Sequence, residues 1–148
     1  MPASLFVKKA HAIEAWDSLT EDQQKDLARR MAIYAAMVDI MDENIGRFIE
    51  SLRANGQLDN TLIIFMSDNG ACAEWHEFGF DGHSGPTYRT HVGDELDGMG
   101  QKGTYHHYGT GWANVCCAPF YLYKHFAHEG GISTPSILWW GDRVKHKG

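Results

Sequence analysis

Apolar residues recur at Leu27, Met31, Tyr34, Val38, Met41, Ile45, Phe48 and Leu52. The steps alternate four and three, which keeps one face of an α-helix apolar along its length. Ser18 with Glu21, or Thr20 with Gln23, forms a capping box that satisfies otherwise unpaired N–H groups at the helix start. Glu21 and Asp22 suit the positive end of the helix dipole. Asn55 and Gly56 end the helix, glycine fitting the left-handed position past the last turn. The spacing also suits a coiled coil, but a strand follows within a few residues, which favours a helix laid on a sheet. After a short turn at Leu58, Asp59 and Asn60, the run Thr61, Leu62, Ile63, Ile64, Phe65, Met66 does not alternate and reads as a strand buried on both faces.

From residue 70 to 110 the periodicity stops, and Gly, His, Asp and aromatic residues dominate. A connection of that length without its own elements is usually a functional loop or disordered. Trp75, Phe78, Phe80 and Tyr88 argue for a packed loop. Residues 119–126 read as a short helix or turn, and residues 136–140 as a second short strand. His11 and Asp17 fit a surface helix.

Composition adds limits. The 148 residues are 43% hydrophobic and 22% charged, ordinary for a globular chain of about one domain. With 13 basic and 19 acidic residues the formal charge is −6, and no basic stripe is present, so nucleic acid is not an expected partner. No apolar run approaches the roughly 20 residues that span a bilayer. Residues 1–9 lack the apolar core of a signal peptide, so the chain as written carries no secretion address and its location is open. Cys72, Cys116 and Cys117 are an odd set with two adjacent members, which reads as reduced, structural cysteines.

Ser67, Asp68, Asn69 and Gly70 directly follow the predicted strand. Asp-Asn-Gly is strong turn chemistry. At the C-terminal tip of a strand the same pair also supplies the hard oxygen ligands that Ca²⁺ and Mg²⁺ take. A second candidate is Lys124, with Glu129, Gly130 and Gly131 after it. The lysine reads either as a solvated cation or as a point charge for an oxyanion, with Glu129 orienting it or the turn. His125 and His128 are spaced for zinc on a helix but lack a third ligand and an intervening Glu, so packing roles are favoured. The glycines of residues 109–114 do not have nucleotide-loop spacing.

In this order, Asp68 and Asn69 at a strand end, then Lys124, His125, His128, Glu129, Gly130, Gly131 and Pro135, resemble the later part of the sulfatase family, arylsulfatase type, in the alkaline-phosphatase superfamily. Tyr34, Asp39, Asp42 and Gly46 resemble the family's helix before the metal strand, and Gly111, Trp112, Asn114, Pro119 and Phe120 resemble its arylsulfatase-type members. The resemblance runs from about Met31 to Gly141. It implies an α/β fold, a partial alkaline-phosphatase-like fold with a long helix packed on a mainly buried sheet and a long functional loop. It implies sulfate-ester hydrolysis, on a small-molecule or glycan ester, with Ca²⁺ (or Mg²⁺) held by Asp68 and Asn69. Lys124 is then catalytic and substrate-binding, with His125 as a further substrate contact.

The family's formylglycine nucleophile arises in Cys-x-Pro-x-Arg. Here Cys117, Ala118, Pro119, Phe120 and Tyr121 place Tyr where Arg is required, and Cys117 is a coincidence. Residues 1–148 thus read as a partial catalytic domain without the nucleophile-bearing N-terminal half and the C-terminal subdomain, inactive alone and prone to self-association. Two other readings stay open: a phosphoester or phosphonate hydrolase of the same superfamily, for which His76, His83, His106 and His107 offer second-metal ligands, and a truncated homologue acting as a binding module.

Overall fold

The protein is described here from a computed structural model, which describes residues 13–74 and 76–145. The expectations for His11, Trp75 and the chain's first residues lie outside the described residues. After a 3₁₀ turn at Trp16–Ser18, where Asp17 sits, the elements are α1 (Glu21–Ala54), β1 (Ile63–Met66), α2 (Glu95–Gly98), α3 (Gly109–Cys117), α4 (Glu129–Ile132) and β2 (Ser136–Trp139). A second 3₁₀ turn, Leu58–Asn60, joins α1 to β1.

α1 starts where the pattern places it. Of the two candidate boxes, Thr20 with Gln23 forms: the Thr20 hydroxyl accepts from the Gln23 N–H at 3.3 Å, and the Gln23 side chain accepts from the Thr20 N–H at 3.0 Å. Such a cap is worth about 1 kcal/mol. Gly56, at φ 68°, supplies the left-handed turn that ends the helix.

The apolar face of α1 is used over only part of its length. Leu27 is buried and Tyr34 packs on Tyr108, ring centroids 4.9 Å apart. The Trp112 indole N–H donates to the Leu27 carbonyl at 2.9 Å, and Ile33 lies against Gly100. Beyond Tyr34, Met37, Val38, Met41 and Phe48 are exposed. The core gathers instead around Ala73, Tyr108, Ala113, Cys117, Leu122 and Tyr123.

β1 and β2 pair antiparallel in the register Ile63–Trp139, Ile64–Leu138, Phe65–Ile137, Met66–Ser136. The expected mainly buried sheet is corrected here. Ile64, Phe65, Met66, Ile137 and Leu138 are exposed, Met66 at 63%. A two-stranded ribbon has two open faces, and burial on both needs a covering layer on each. Among the described residues, the N-terminal half of α1 packs on the loop and α3, and no layer covers the strands.

The stretch 70–110 is mostly irregular but not empty. Asp81 and His106 pair antiparallel, and α2 is a single turn. α3 went unread because Gly109 and Gly111 stand in its first turn, where they lower helix propensity. The three cysteines are free.

Candidate functional site

The turn after β1 is held from several sides. The Ser67 hydroxyl donates to the Asn69 carbonyl at 2.8 Å, and the Thr134 hydroxyl donates to the Ser67 carbonyl at 2.8 Å. The Gly70 N–H donates to the Gly131 carbonyl at 3.0 Å. The approach is so close that a Cβ on Gly70 would stand 1.8 Å from the Gly130 oxygen. One residue on, the Ala71 carbonyl accepts the Lys124 N–H at 3.0 Å, and the Ala71 N–H points at the Cys117 sulfur at 3.2 Å. Two segments more than fifty residues apart in sequence are thereby joined through their backbones.

That join sets Asp68 and Asn69 beside the Lys124 segment. Asp68 is exposed, Asn69 and Lys124 half-buried, and His125 exposed. The Asn69 amide nitrogen donates to the Gly70 carbonyl at 3.0 Å, which leaves its oxygen as the free end. Among the described residues, no hydrogen bond or ion pair engages the Asp68 carboxylate. Two adjacent side-chain oxygens of this kind fit a hard divalent cation, which takes six to eight oxygens in the case of Ca²⁺. His125 stands in the left-handed region, φ 83°, and with His128 belongs to turns, not to a shared helix face. The His128 ring meets Tyr121 edge-on at 5.2 Å. Glu129 does not orient Lys124; its carboxylate takes the Ser133 hydroxyl.

Sequence reasoning missed Glu74. Its carboxylate accepts the Cys72 thiol at 3.1 Å, and its backbone is left-handed at φ 42°. The Cys72 thiol first, and then the charges of His107, Lys124 and His125, hold its carboxyl below the usual range against a raising effect of burial. A cleft of about 1260 Å³ opens next to this group. Asn69, Gly70 and Glu74 line one part of it, while Asp68 and Lys124 stand outside its lining.

A second cluster was also missed. Asp26 and Arg30, one α1 turn apart, are fully buried. Arg30 Nε donates to Asp26 at 2.7 Å, and its other nitrogens reach the Phe80 and His107 carbonyls at 3.2 and 3.0 Å, the Asp81 carboxylate at 2.9 Å and the Arg89 carbonyl at 3.3 Å. Asp26 also takes the ring N–H of His91 at 2.7 Å, and Asp81 that of His106 at 2.7 Å. Burial pushes the Asp81 carboxyl up, but His106 and Arg30 outweigh it and hold it below its ordinary value. Asp81, His91 and His106 bring ligand atoms within 4.8 Å of one another, a set that can hold a metal ion by distance. The Arg30 guanidinium already bonds Asp81 there and lies 3.5 Å from His91 Nδ1. As it stands, the cluster is a buried ion-pair network that ties α1 to the loop. The available signal was an Asp–Arg pair at i, i+4 beside the apolar stripe.

His107 links both clusters. Its carbonyl meets Arg30, its ring stacks on Phe80 at 4.8 Å, and its Nδ1 accepts the Gly109 N–H at 3.0 Å. Burial pushes its pKa down, helped by the Arg30 charge. With a folded pKa below the unfolded one, the unfolded chain binds the extra proton first on acidification. The stabilising contribution of neutral His107 is complete above about pH 6.5 and is lost as pH falls through the folded value. Urea unfolding at pH 7.5, 6.5 and 5.5 is expected to show falling stability over the last step, and His107→Gln to flatten it.

Residues 7–147 match the family model described as Sulfatase. An uncharacterised sulfatase of Schizosaccharomyces pombe is 39% identical over 132 residues, covering 89% of this chain and 24% of that protein. An arylsulfatase of Klebsiella aerogenes is 41% identical over 124 residues, covering 83% and 26%. An N-acetylglucosamine-6-O-sulfatase of Bacteroides thetaiotaomicron is 50% identical over 40 residues, covering 27% and 7%. The chain spans about a quarter of the length of the first two relatives.

Proposed function

The chain belongs to the sulfatase family, and from that premise we propose that it supplies part of the metal and sulfate site of a sulfate-ester hydrolase. Asp68 and Asn69 hold a divalent cation, Ca²⁺ or Mg²⁺, through two side-chain oxygens. Such an ion, when bound, neutralises charge on the ester's sulfuryl oxygens. Lys124 contacts the same oxygens as a point charge, with His125 next to it in the chain. The observation that carries this reading is the pair of backbone bonds, Gly70 to Gly131 and Lys124 to Ala71, that hold the acidic turn against the lysine segment.

The chain carries one site fragment and no nucleophile, because Tyr121 stands where the formylglycine motif needs Arg. Catalytic groups act as a unit, so the rate without one of them falls by orders of magnitude. Incubated with 4-nitrophenyl sulfate, the purified chain is expected to release no nitrophenol above buffer with or without Ca²⁺. Clear Ca²⁺-dependent turnover would overturn the reading of residues 1–148 as a partial catalytic domain. The exposed apolar residues of β1, β2 and the second half of α1 favour association with a second copy or with further sulfatase chain.

For the phosphoester or phosphonate alternative, of His76, His83, His106 and His107 only His106 belongs to the Asp81, His91 and His106 grouping, and the guanidinium of Arg30 within that grouping weighs against a second cation. A non-catalytic binding module would use the same exposed faces without needing Asp68 or Lys124.

A further inference from the structure

A second pocket, of about 220 Å³, lies between the first described residues and α3. Among the described residues it shares only Tyr108 with the large cleft, and none of Asp68, Asn69, Lys124 and His125 lines it. Trp16 and Trp112 are two of its walls, with ring centroids 5.7 Å apart and planes at 61°. That angle makes a corner, not a stack. The Leu27 carbonyl already accepts the Trp112 indole N–H at 2.9 Å, so Trp112 offers the pocket its ring. Trp16 is 43% exposed, which leaves part of its ring open to a ligand. Phe78 and Tyr108 add further aromatic surface.

The charge at this pocket has one sign. Glu14 and Glu77 line it, and among the described residues no Lys, Arg or His does. One Glu77 oxygen accepts the Glu14 backbone N–H at 2.7 Å, which holds that carboxylate at the pocket. Among the described residues, no hydrogen bond or ion pair engages its second oxygen or the Glu14 carboxylate. An anion would meet two carboxylates and no counter-charge. An uncharged apolar group would strip water from those carboxylates and give nothing in return. A hard metal ion needs more oxygens than this mostly apolar lining supplies.

The geometry points to a binding site for a small quaternary ammonium ion, walled by Trp16 and Trp112 and balanced by Glu14 and Glu77. The charge of such an ion spreads over methyl groups that need no hydrogen-bond acceptors. Aromatic faces attract it, indole most strongly, and carboxylates nearby neutralise it. The pocket is smaller than the roughly 300 Å³ at which drug-sized sites begin, so the ligand is small. The site uses neither Asp68 nor Lys124, and it stands or falls apart from sulfate-ester hydrolysis.

The test is titration of the 148-residue chain with tetramethylammonium chloride at constant ionic strength, followed by the indole N–H signals of its tryptophans. tert-Butanol, similar in shape and uncharged, is the second probe. Tetramethylammonium is expected to shift the Trp16 and Trp112 signals saturably, with affinity on the order of millimolar, and tert-butanol to bind at least about five-fold more weakly. That comparison needs no variant. Glu77→Gln keeps an oxygen for the Glu14 N–H and removes the charge. It is expected to weaken tetramethylammonium binding about two- to five-fold and to leave tert-butanol unchanged. Trp16→Leu keeps apolar bulk without the ring, and a similar loss is expected. Equal binding of the two probes, or tetramethylammonium affinity unchanged in Glu77→Gln, would show an apolar hole with no preference for a cation and overturn the proposal. The absence of saturable shifts with tetramethylammonium would overturn it as well.

Discussion

Replacing Arg30 with alanine is expected to destabilise the protein by about 3–5 kcal/mol, the range for removing one partner of a buried ion pair. Typical domains are stable by only 5–15 kcal/mol, so the variant keeps little of its folded population. The size follows from what is left behind. Asp26 is fully buried and loses its guanidinium, Asp81 loses one of three cationic or N–H partners, and the Phe80, His107 and Arg89 carbonyls lose donors. Arg30→Lys does not rescue it, since an ammonium on a flexible stem cannot span five acceptors set for a planar fork. Urea unfolding followed by circular dichroism reads the effect. Adding Asp26→Asn to Arg30→Ala is expected to recover part of the loss, because the uncompensated carboxylate is then gone. A loss below about 1 kcal/mol for Arg30→Ala, the range of exposed pairs, would show that the network is solvated.

Gly70→Ala is the second large effect. The added Cβ would meet the Gly130 oxygen at 1.8 Å and the Gly130 carbonyl carbon at 2.9 Å, both backbone atoms that cannot rotate away. The turn bearing Asp68 and Asn69 must then separate from the Lys124 segment. Overpacking of this kind costs about 1–3 kcal/mol or more. The control is Gly46→Ala, in the middle of α1 with nothing within 4 Å, which is expected to stabilise by about 0.5–1 kcal/mol. Thermal melts of the two variants should move in opposite directions. Equal, small shifts would mean that the Gly70–Gly130 approach is not a fixed feature of the fold.

What was legible in the sequence divides by range. The start of α1 at Thr20, its end at Gly56 and the turn at Leu58–Asn60 depend on neighbours within four residues, and each stands as the pattern places it. Burial of β1 depends on layers across the sheet, which a run of Ile, Phe and Met cannot reveal, so the strand reads as buried and is exposed. The pairing of the acidic turn with Lys124 was readable only through resemblance to a family, because the two glycine segments that touch lie sixty residues apart. The Arg30 network left almost no trace. An Asp–Arg pair at i, i+4 is an ordinary solvated helix feature, and its distinguishing partners, Asp81 and His91, come 51 and 65 residues after Arg30 and Asp26.

The account turns on Asp68 and Asn69 gripping a cation beside Lys124. Its most direct test is Ca²⁺ titration of the full chain, followed by amide chemical shifts, first alone and then with inorganic sulfate. Two protein oxygens make a weak site, so binding on the order of millimolar is expected, with shifts centred on residues 67–71. Asp68→Ala should abolish those shifts, and Lys124→Ala should remove the sulfate response while leaving that of Ca²⁺. A Ca²⁺ response unchanged in Asp68→Ala, or sulfate binding indifferent to Lys124, would contradict it.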